Sequence, residues 1–498
     1  MSRINQTLIS NLRNHITQRF YYTNRVKKET LYTKISPLGN PNLDLTPELD
    51  NWIQKGNKLR FAELQRIILD FRRRKRYSQA LQVSEWMNTR RVCVFTPTEH
   101  AIHLDLIGKV HGFVNAERYF MSLKEQDKID KTYGALLHCY VRQRQTDKAL
   151  SHLQKMKELG VALSPLAYND IMSLYTTAGQ YEKTYEVLMD MKKDGITPDI
   201  FSYKICINSY GVMSDFEGME RILKEMESQP HIVMDWVAYA TVGNHFITAG
   251  LRDKANIALK KAEAFLDNKN GFGHNNLITL HARLGNTSDV FRIWDLMKSA
   301  CKRCINKDYI VMMDTLSKLS EFTKAEELIE EWEASGNCYD FRVQNALIIG
   351  YCNARLYDKA RGMLQKLMDK QRTATPASWE RVAVGFVENN EMEKALYCFK
   401  AAISLHAESK RWKPNNKSIT ILMNSLGEKG SAEDVESLIA SLRNVVPVDR
   451  QMYHALMKSY IRDGKEVDGI LNRMKADTIP ENEETEKFKN MEQVKINS

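Results

Sequence analysis

The stretch Pro165–Asp199 reads PLAYNDIMSLYTTAGQYEKTYEVLMDMKKDGITPD, and its reading decides the fold. Tyr168, Ile171, Met172 and Tyr175 recur at helical spacing, and Gly179 ends that run. A second amphipathic helix is predicted from Gln180 to Lys193, with Tyr185, Leu188 and Met191 on one face. Gly195 and Pro198 then close the segment, as a glycine C-cap followed by proline does. A lone helical hairpin has two apolar faces and nothing to bury them on. It requires a neighbour like itself.

The chain supplies that neighbour repeatedly. Stepping from Tyr168 by about 35 residues lands on Tyr133 and Tyr203, then on Tyr239, His274, Tyr309, Gln344, Trp379, Ile419 and Tyr453. A second column is small: Ala80, Ala116, Ala149, Ala255, Ala325, Ala360 and Ala395. A third is apolar throughout, running from Met87 and Leu123 through Met156, Met191, Met226, Ala262, Met297, Trp332, Leu367 and Ala402 to Leu442. Three columns in one register place unit starts at 61, 97, 130, 165, 200, 236, 271, 306, 341, 376, 416 and 450, with an insertion around Ser409–Lys413. The expected fold is all-α, a right-handed α-solenoid of about twelve helix–turn–helix repeats of ~35 residues, stabilised by nearest-neighbour stacking.

The 498 residues carry a formal charge of +10. Residues 1–28 hold Arg3, Arg13, Arg19, Arg25, Lys27 and Lys28 and no acid, which leaves +4 for the remainder. Ile4, Leu8, Leu12 and Ile16 add an apolar stripe. That composition predicts a mitochondrial transit peptide over 1–28, cleaved near Arg19-Phe20-Tyr21-Tyr22, with a chloroplast address as the competitor. Residues 29–60, with Pro37, Gly39, Pro41 and Pro47, read as a linker and a short helix that Thr46-Pro47-Glu48 would cap and Gly56 would end. The solenoid is expected over 61–481 and a charged tail over 482–498. No apolar run is long enough to span a bilayer. The eight cysteines are scattered through helices and read as reduced thiols.

Ala167-Tyr168-Asn169-Asp170-Ile171-Met172 and Gly195-Ile196-Thr197-Pro198-Asp199 resemble the pentatricopeptide repeat, and the resemblance extends over roughly residues 61–480. The opening RFAELQRIILDFRRRKRYSQALQVSEWM and the later HAIHLDLIGKVHGFVNAERYFMSL resemble its plain, organelle-targeted subfamily, abundant in land plants. The resemblance implies that each repeat can address one RNA base through the residue after the aromatic marker and the last residue of the unit. On that basis Asn169 with Asp199 resembles a uracil pair and Thr420 with Asp449 a guanine pair. Asn345 with Thr375 resembles a weak pyrimidine reader, and Asn275, paired with Ile305, departs from the pattern. The family also clamps bases between apolar residues at the second position of successive units, here Leu166, Phe201, Val237 and Phe272, flanked by Lys131, Lys307 and Arg342.

Other chemistry is absent at the level of motifs. His406-Ala407-Glu408 matches the first half of a zinc deaminase signature, yet no cysteine follows Cys398. Cys301-Lys302-Arg303-Cys304 is half a tetrahedral site, and Gly271-Phe272-Gly273 lacks the third glycine of a dinucleotide motif. The run Arg72–Arg76 reads as a cationic helix end, with RNA phosphate as the rival partner. The expectation is therefore a non-enzymatic chain without metal or cofactor, monomeric, binding single-stranded RNA in the mitochondrial matrix for transcript stabilisation, processing or translation. The alternative is a component or assembly factor of the mitochondrial ribosome with little base reading. A scaffold that binds only protein is the third reading.

Overall fold

The computed structural model describes residues 30–267, 271–372, 374–405 and 412–496. The segment 1–28 and the His406-Ala407-Glu408 motif lie outside them, as does most of the Ser409–Lys413 insertion. Every regular element among the described residues is helical. The chain divides into two compact units, 1–234 and 235–498.

In the first unit, five helical hairpins follow residue 60: Phe61–Arg73 with Tyr77–Thr89, Pro97–Val110 with Phe113–Ser122, Asp130–Arg142 with Thr146–Glu158, Pro165–Thr177 with Lys183–Lys193, and Ile200–Val212 with Phe216–Glu227. Successive first helices pack on one another from Pro97–Val110 through Ile200–Val212. The second unit begins at Trp236–Thr248 and repeats the scheme through Arg450–Arg462 and Asp468–Ala476. Each unit is thus an α-solenoid segment.

The three columns explain the stacking. All seven alanines of the small column are fully buried, and the aromatic-register residues, among them Tyr168, Tyr203, Trp379 and Tyr453, are buried too. A methyl group at the small position lets helices approach closely, and Met191, Met226 and Met297, also fully buried, fill the space beside it. The tyrosine hydroxyls need partners once buried. Tyr203 Oη donates to Glu225 at 2.9 Å, and Lys192 of the preceding hairpin reaches the same carboxylate at 2.5 Å. Tyr168, Asp194 and Lys157 repeat the arrangement one unit earlier.

The turn between the two helices of a hairpin passes through the left-handed region in every repeat except Asn416–Lys429 with Ala432–Leu442, where Gly430 takes φ -85°. Gly179 takes φ +76°, but the same turn in other repeats holds Arg144, Ser214, Ser320, Arg355 and Asn390 at φ between 55° and 61°. Residues 181–182 form a turn, so the second helix of this hairpin starts at Lys183, later than the sequence pattern suggests.

Both ends carry packed helices beyond the repeats. Residues 30–60 hold two helices, Leu31–Ile35 and Thr46–Gln54, rather than one, and bury Leu31, Ile35, Leu45 and Leu49 completely. The N-cap of the second is Leu45, without a side-chain cap, so Thr46 lies inside the helix and does not cap it. Trp86 Nε1 and Arg90 of the first hairpin both bond Asp50, fastening this pair to the repeats. At the other end Glu483–Ile496 is helical where a charged tail was expected. Its Phe488 and Thr485 are buried, and His454 meets them by a 2.9 Å hydrogen bond to Thr485 and a ring contact at 5.3 Å.

Candidate nucleic-acid interface

The second residue of a repeat stands at the start of its first helix: Leu166, Phe201 and Val237 are the second residues of theirs, and Phe272 is the first of its own. In the first unit this puts Leu166 and Phe201 at 65% and 63% exposure, unusual for large apolar groups in a register whose other columns are buried. The Lys204 ammonium lies 5.8 Å from the Phe201 ring centroid. In the second unit Phe272 is 58% exposed, with the Lys307 ammonium 5.2 Å from its centroid and Trp236 edge-on at 5.7 Å. Val237 is half-buried. Of the flanking cations, Lys131 bonds Thr98 at 2.9 Å and Arg342 is paired with Asp340 at 2.6 Å.

The candidate base-reading residues sit one helical turn further along, and the structure ties them into the caps of the next repeat. Asn169 is 7% exposed. Its Nδ2 donates to Asp199 Oδ1 at 3.0 Å, and its Oδ1 accepts from Ser202 Oγ at 2.7 Å. Asp199 is the N-cap of Ile200–Val212 and also accepts the Ser202 N–H at 2.8 Å. Asn345 is held similarly: its Oδ1 lies 2.6 Å from Ser378 Oγ, which is itself 2.7 Å from Thr375 Oγ1. Asn275 differs. Its Nδ2 donates to Asp308 Oδ1 at 2.6 Å, while Asp308 Oδ2 accepts the N–H of Ile305. Asn275 Oδ1 is buried without a partner among the described residues.

The other pair is not brought together in the same way. Thr420 Oγ1 donates to Gln451 at 2.9 Å, and Asp449 spends its carboxylate on the N–H of Met452. Glu380, also at the reading position, is locked by the Asn415 N–H and Trp412 Nε1. Sequence reasoning missed the third residue of the following repeat: Glu99 bonded to Gln65, then Ser202, Asp308 and Ser378. The signal was there, as a polar side chain recurring at the N3 position beside the N-cap.

The first unit also contains a cavity of about 450 Å³ bordered by Arg72, Lys109, Lys131, His138, Leu166 and Asp170. Arg72 and Lys109 both reach Asp105, at 3.1 and 2.7 Å. His138 Nδ1 lies 3.0 Å from Asp170, and this hydrogen bond raises the His138 pKa above the ordinary histidine value. Within the Arg72–Arg76 cluster Arg72 pairs with Asp105, Arg74 with Asp70 and Arg76 donates to the Ser36 carbonyl, while Arg73, Arg74 and Lys75 are exposed.

Cys304 and Cys206 are buried, and all eight thiols are free. Gly271-Phe272-Gly273 opens a helix rather than joining a strand to one. Among the described residues no cluster of three or more His, Cys, Asp or Glu side chains is placed to hold a metal ion, and no helix is long and apolar enough to cross a membrane.

A model described as PPR repeat family matches residues 164–212, and one described as PPR repeat matches 131–161, 201–230, 274–301 and 345–371. A mitochondrial pentatricopeptide repeat-containing protein of Arabidopsis thaliana is 51% identical over 95% of this chain and 96% of its own length. A large ribosomal subunit protein of Arabidopsis thaliana is 37% identical over 94% of this chain and 95% of its own. The crystal structure of a maize pentatricopeptide repeat protein aligns at 16% identity over 90% of this chain and 68% of that one, with a TM-score of 0.49.

Proposed function

This chain belongs to the pentatricopeptide repeat family, and on that premise we propose that it binds single-stranded RNA in mitochondria and acts in transcript stabilisation, processing or translation without catalysis of its own. The observation that carries the reading is the exposure of Leu166, Phe201 and Phe272 at one repeat position, two of them under lysine ammonium groups. Apolar faces beside cations suit unpaired bases and their phosphates: stacking contributes roughly 1–3 kcal/mol per base and the phosphate contacts make binding depend on salt. A bound strand is protected from nucleases and kept out of competing hairpins, so occupancy alone is a sufficient mechanism. The mitochondrial address is supported by relatives that are themselves mitochondrial proteins.

A second reading is favoured by the ribosomal relative, similar over nearly the whole chain. The locking of Glu380, Thr420 and Asp449 in intramolecular bonds also suits a chain that uses few base contacts. In that case the protein would be a component or assembly factor of the mitochondrial ribosome. Sedimentation of a mitochondrial lysate, with sequencing of RNA crosslinked to the tagged protein, separates the two. Light fractions with a narrow footprint on few transcripts support the first. Co-migration with a subunit and crosslinks confined to ribosomal RNA support the second, and absence of any crosslinked RNA overturns both.

A further inference from the structure

Asn169 and Asn275 occupy the same repeat position with opposite amide orientations. At Asn169 the carboxylate lies on the last residue of the unit, Asp199, and attracts the amide nitrogen at 3.0 Å. The oxygen is thereby turned to Ser202, a fully buried side chain whose hydroxyl donates to it. The second Nδ2 hydrogen remains, so the unmatched group is a donor. At Asn275 the last residue is Ile305, which offers no side-chain acceptor, and the carboxylate has moved to the third residue of the next repeat, Asp308. There it takes the amide nitrogen at 2.6 Å. A reversed amide would set its oxygen against that carboxylate, so the orientation follows from charge. A second Nδ2 hydrogen is left over here as at Asn169, and what distinguishes Asn275 is its oxygen, buried without a partner among the described residues on a side chain only 6% exposed. A buried acceptor in that condition is costly until a donor reaches it.

We propose that the third residue of the following repeat is a further determinant of base choice, with Asp308 turning Asn275 towards bases that carry an amino group, whereas Asp199 and Ser202 hold Asn169 for bases that carry a carbonyl. Asn345 stands between the two. Ser378 and Thr375 are both hydroxyls, so their chain of hydrogen bonds can run in either direction and the amide can present either end. The inference rests on the RNA-binding reading above.

The test is an exchange of the two arrangements in the full chain, read by selection from a randomised pool of single-stranded RNAs. Ile305→Asp with Asp308→Ser recreates the Asn169 arrangement around Asn275. Preference at one nucleotide should move from cytosine or adenine to uracil by roughly tenfold, the worth of one base-edge contact. Asp199→Ile with Ser202→Asp should produce the reverse shift at the nucleotide facing Asn169. If an exchange unfolds the chain by circular dichroism, Asp308→Asn serves instead and should relax the preference at its nucleotide. Folded variants that select the same bases as the native chain, or that lose affinity uniformly at every position, overturn the proposal. A native chain that selects no RNA at all defeats the RNA-binding reading, and this inference falls with it.

Discussion

Asn169 Nδ2 donates to the Asp199 carboxylate at 3.0 Å across the length of one repeat, so the residue expected to read a base is also a fastening between hairpins. Asp199 simultaneously caps Ile200–Val212 through the Ser202 N–H. Asp199→Ala should therefore lower stability by ~1–2 kcal/mol, from the lost cap and the orphaned amide together. Asp199→Asn retains a capping oxygen and should cost about half as much. Urea unfolding of the two variants checks this, and equal midpoints would contradict it.

The left-handed turns give a second expectation. Ser214 and Ser320 sit at φ +61° where other repeats have glycine. Ser214→Gly and Ser320→Gly should each stabilise the chain by up to ~1 kcal/mol, the relief of strain being partly offset by unfolded-state entropy. Gly179→Ala, at φ +76°, should destabilise by about the same amount. Thermal melts of the three variants would show opposite shifts.

His103 gives the chain a pH dependence. Burial pushes its pKa down from 6.5 to about 4, and its Nδ1 bonds Ser84 Oγ at 2.8 Å. The folded state binds the proton later than the unfolded state. Stability should thus be lost as pH falls from 6.5 towards 4, by an amount on the order of a few kcal/mol. Burial pushes His281 and His454 down as well, so the slopes add. His103→Gln should flatten the acid limb of a stability–pH curve, on top of a pH-independent cost from the lost ring contacts with Phe95 and Tyr119.

The terminal helix makes a further prediction. Phe488 covers His454 at 5.3 Å, and Thr485 has no exposure. End repeats need such covers because they lack a neighbour. Phe488→Ala should cost ~3 kcal/mol, in the range of large aromatic truncations, and should speed proteolysis of Arg450–Arg462. Limited proteolysis with and without the substitution reads this directly.

What the sequence made legible was whatever burial imposes at a fixed register. Ala80 through Ala395 and Met191, Met226 and Met297 declare the stacking because a solenoid repeats the same steric demand in each hairpin. The left-handed turns were hidden wherever Arg144, Ser214 or Asn390 replaced glycine, since tertiary stacking overrides local preference there. Leu31, Leu45 and Leu49 lay among prolines and glycines, and Phe488 among charges, so their apolar faces could be seen only against the helices that cover them. The recurring polar residues at Ser202, Asp308 and Ser378 were readable as letters but not as partners. Their bonds to Asn169, Asn275 and Asn345 depend on how closely two repeats approach.

The most direct measurement is fluorescence anisotropy of single-stranded and duplex RNA with the full chain, comparing the native protein with Leu166→Ala, Phe201→Ala and Phe272→Ala at several salt concentrations. These side chains are largely exposed, so the variants should fold normally. Preference for the single strand, a salt-dependent affinity, and a loss of roughly tenfold or more for each side chain removed would agree with stacking at these positions. Unchanged affinity in all three folded variants, or equal binding of duplex RNA, would contradict it.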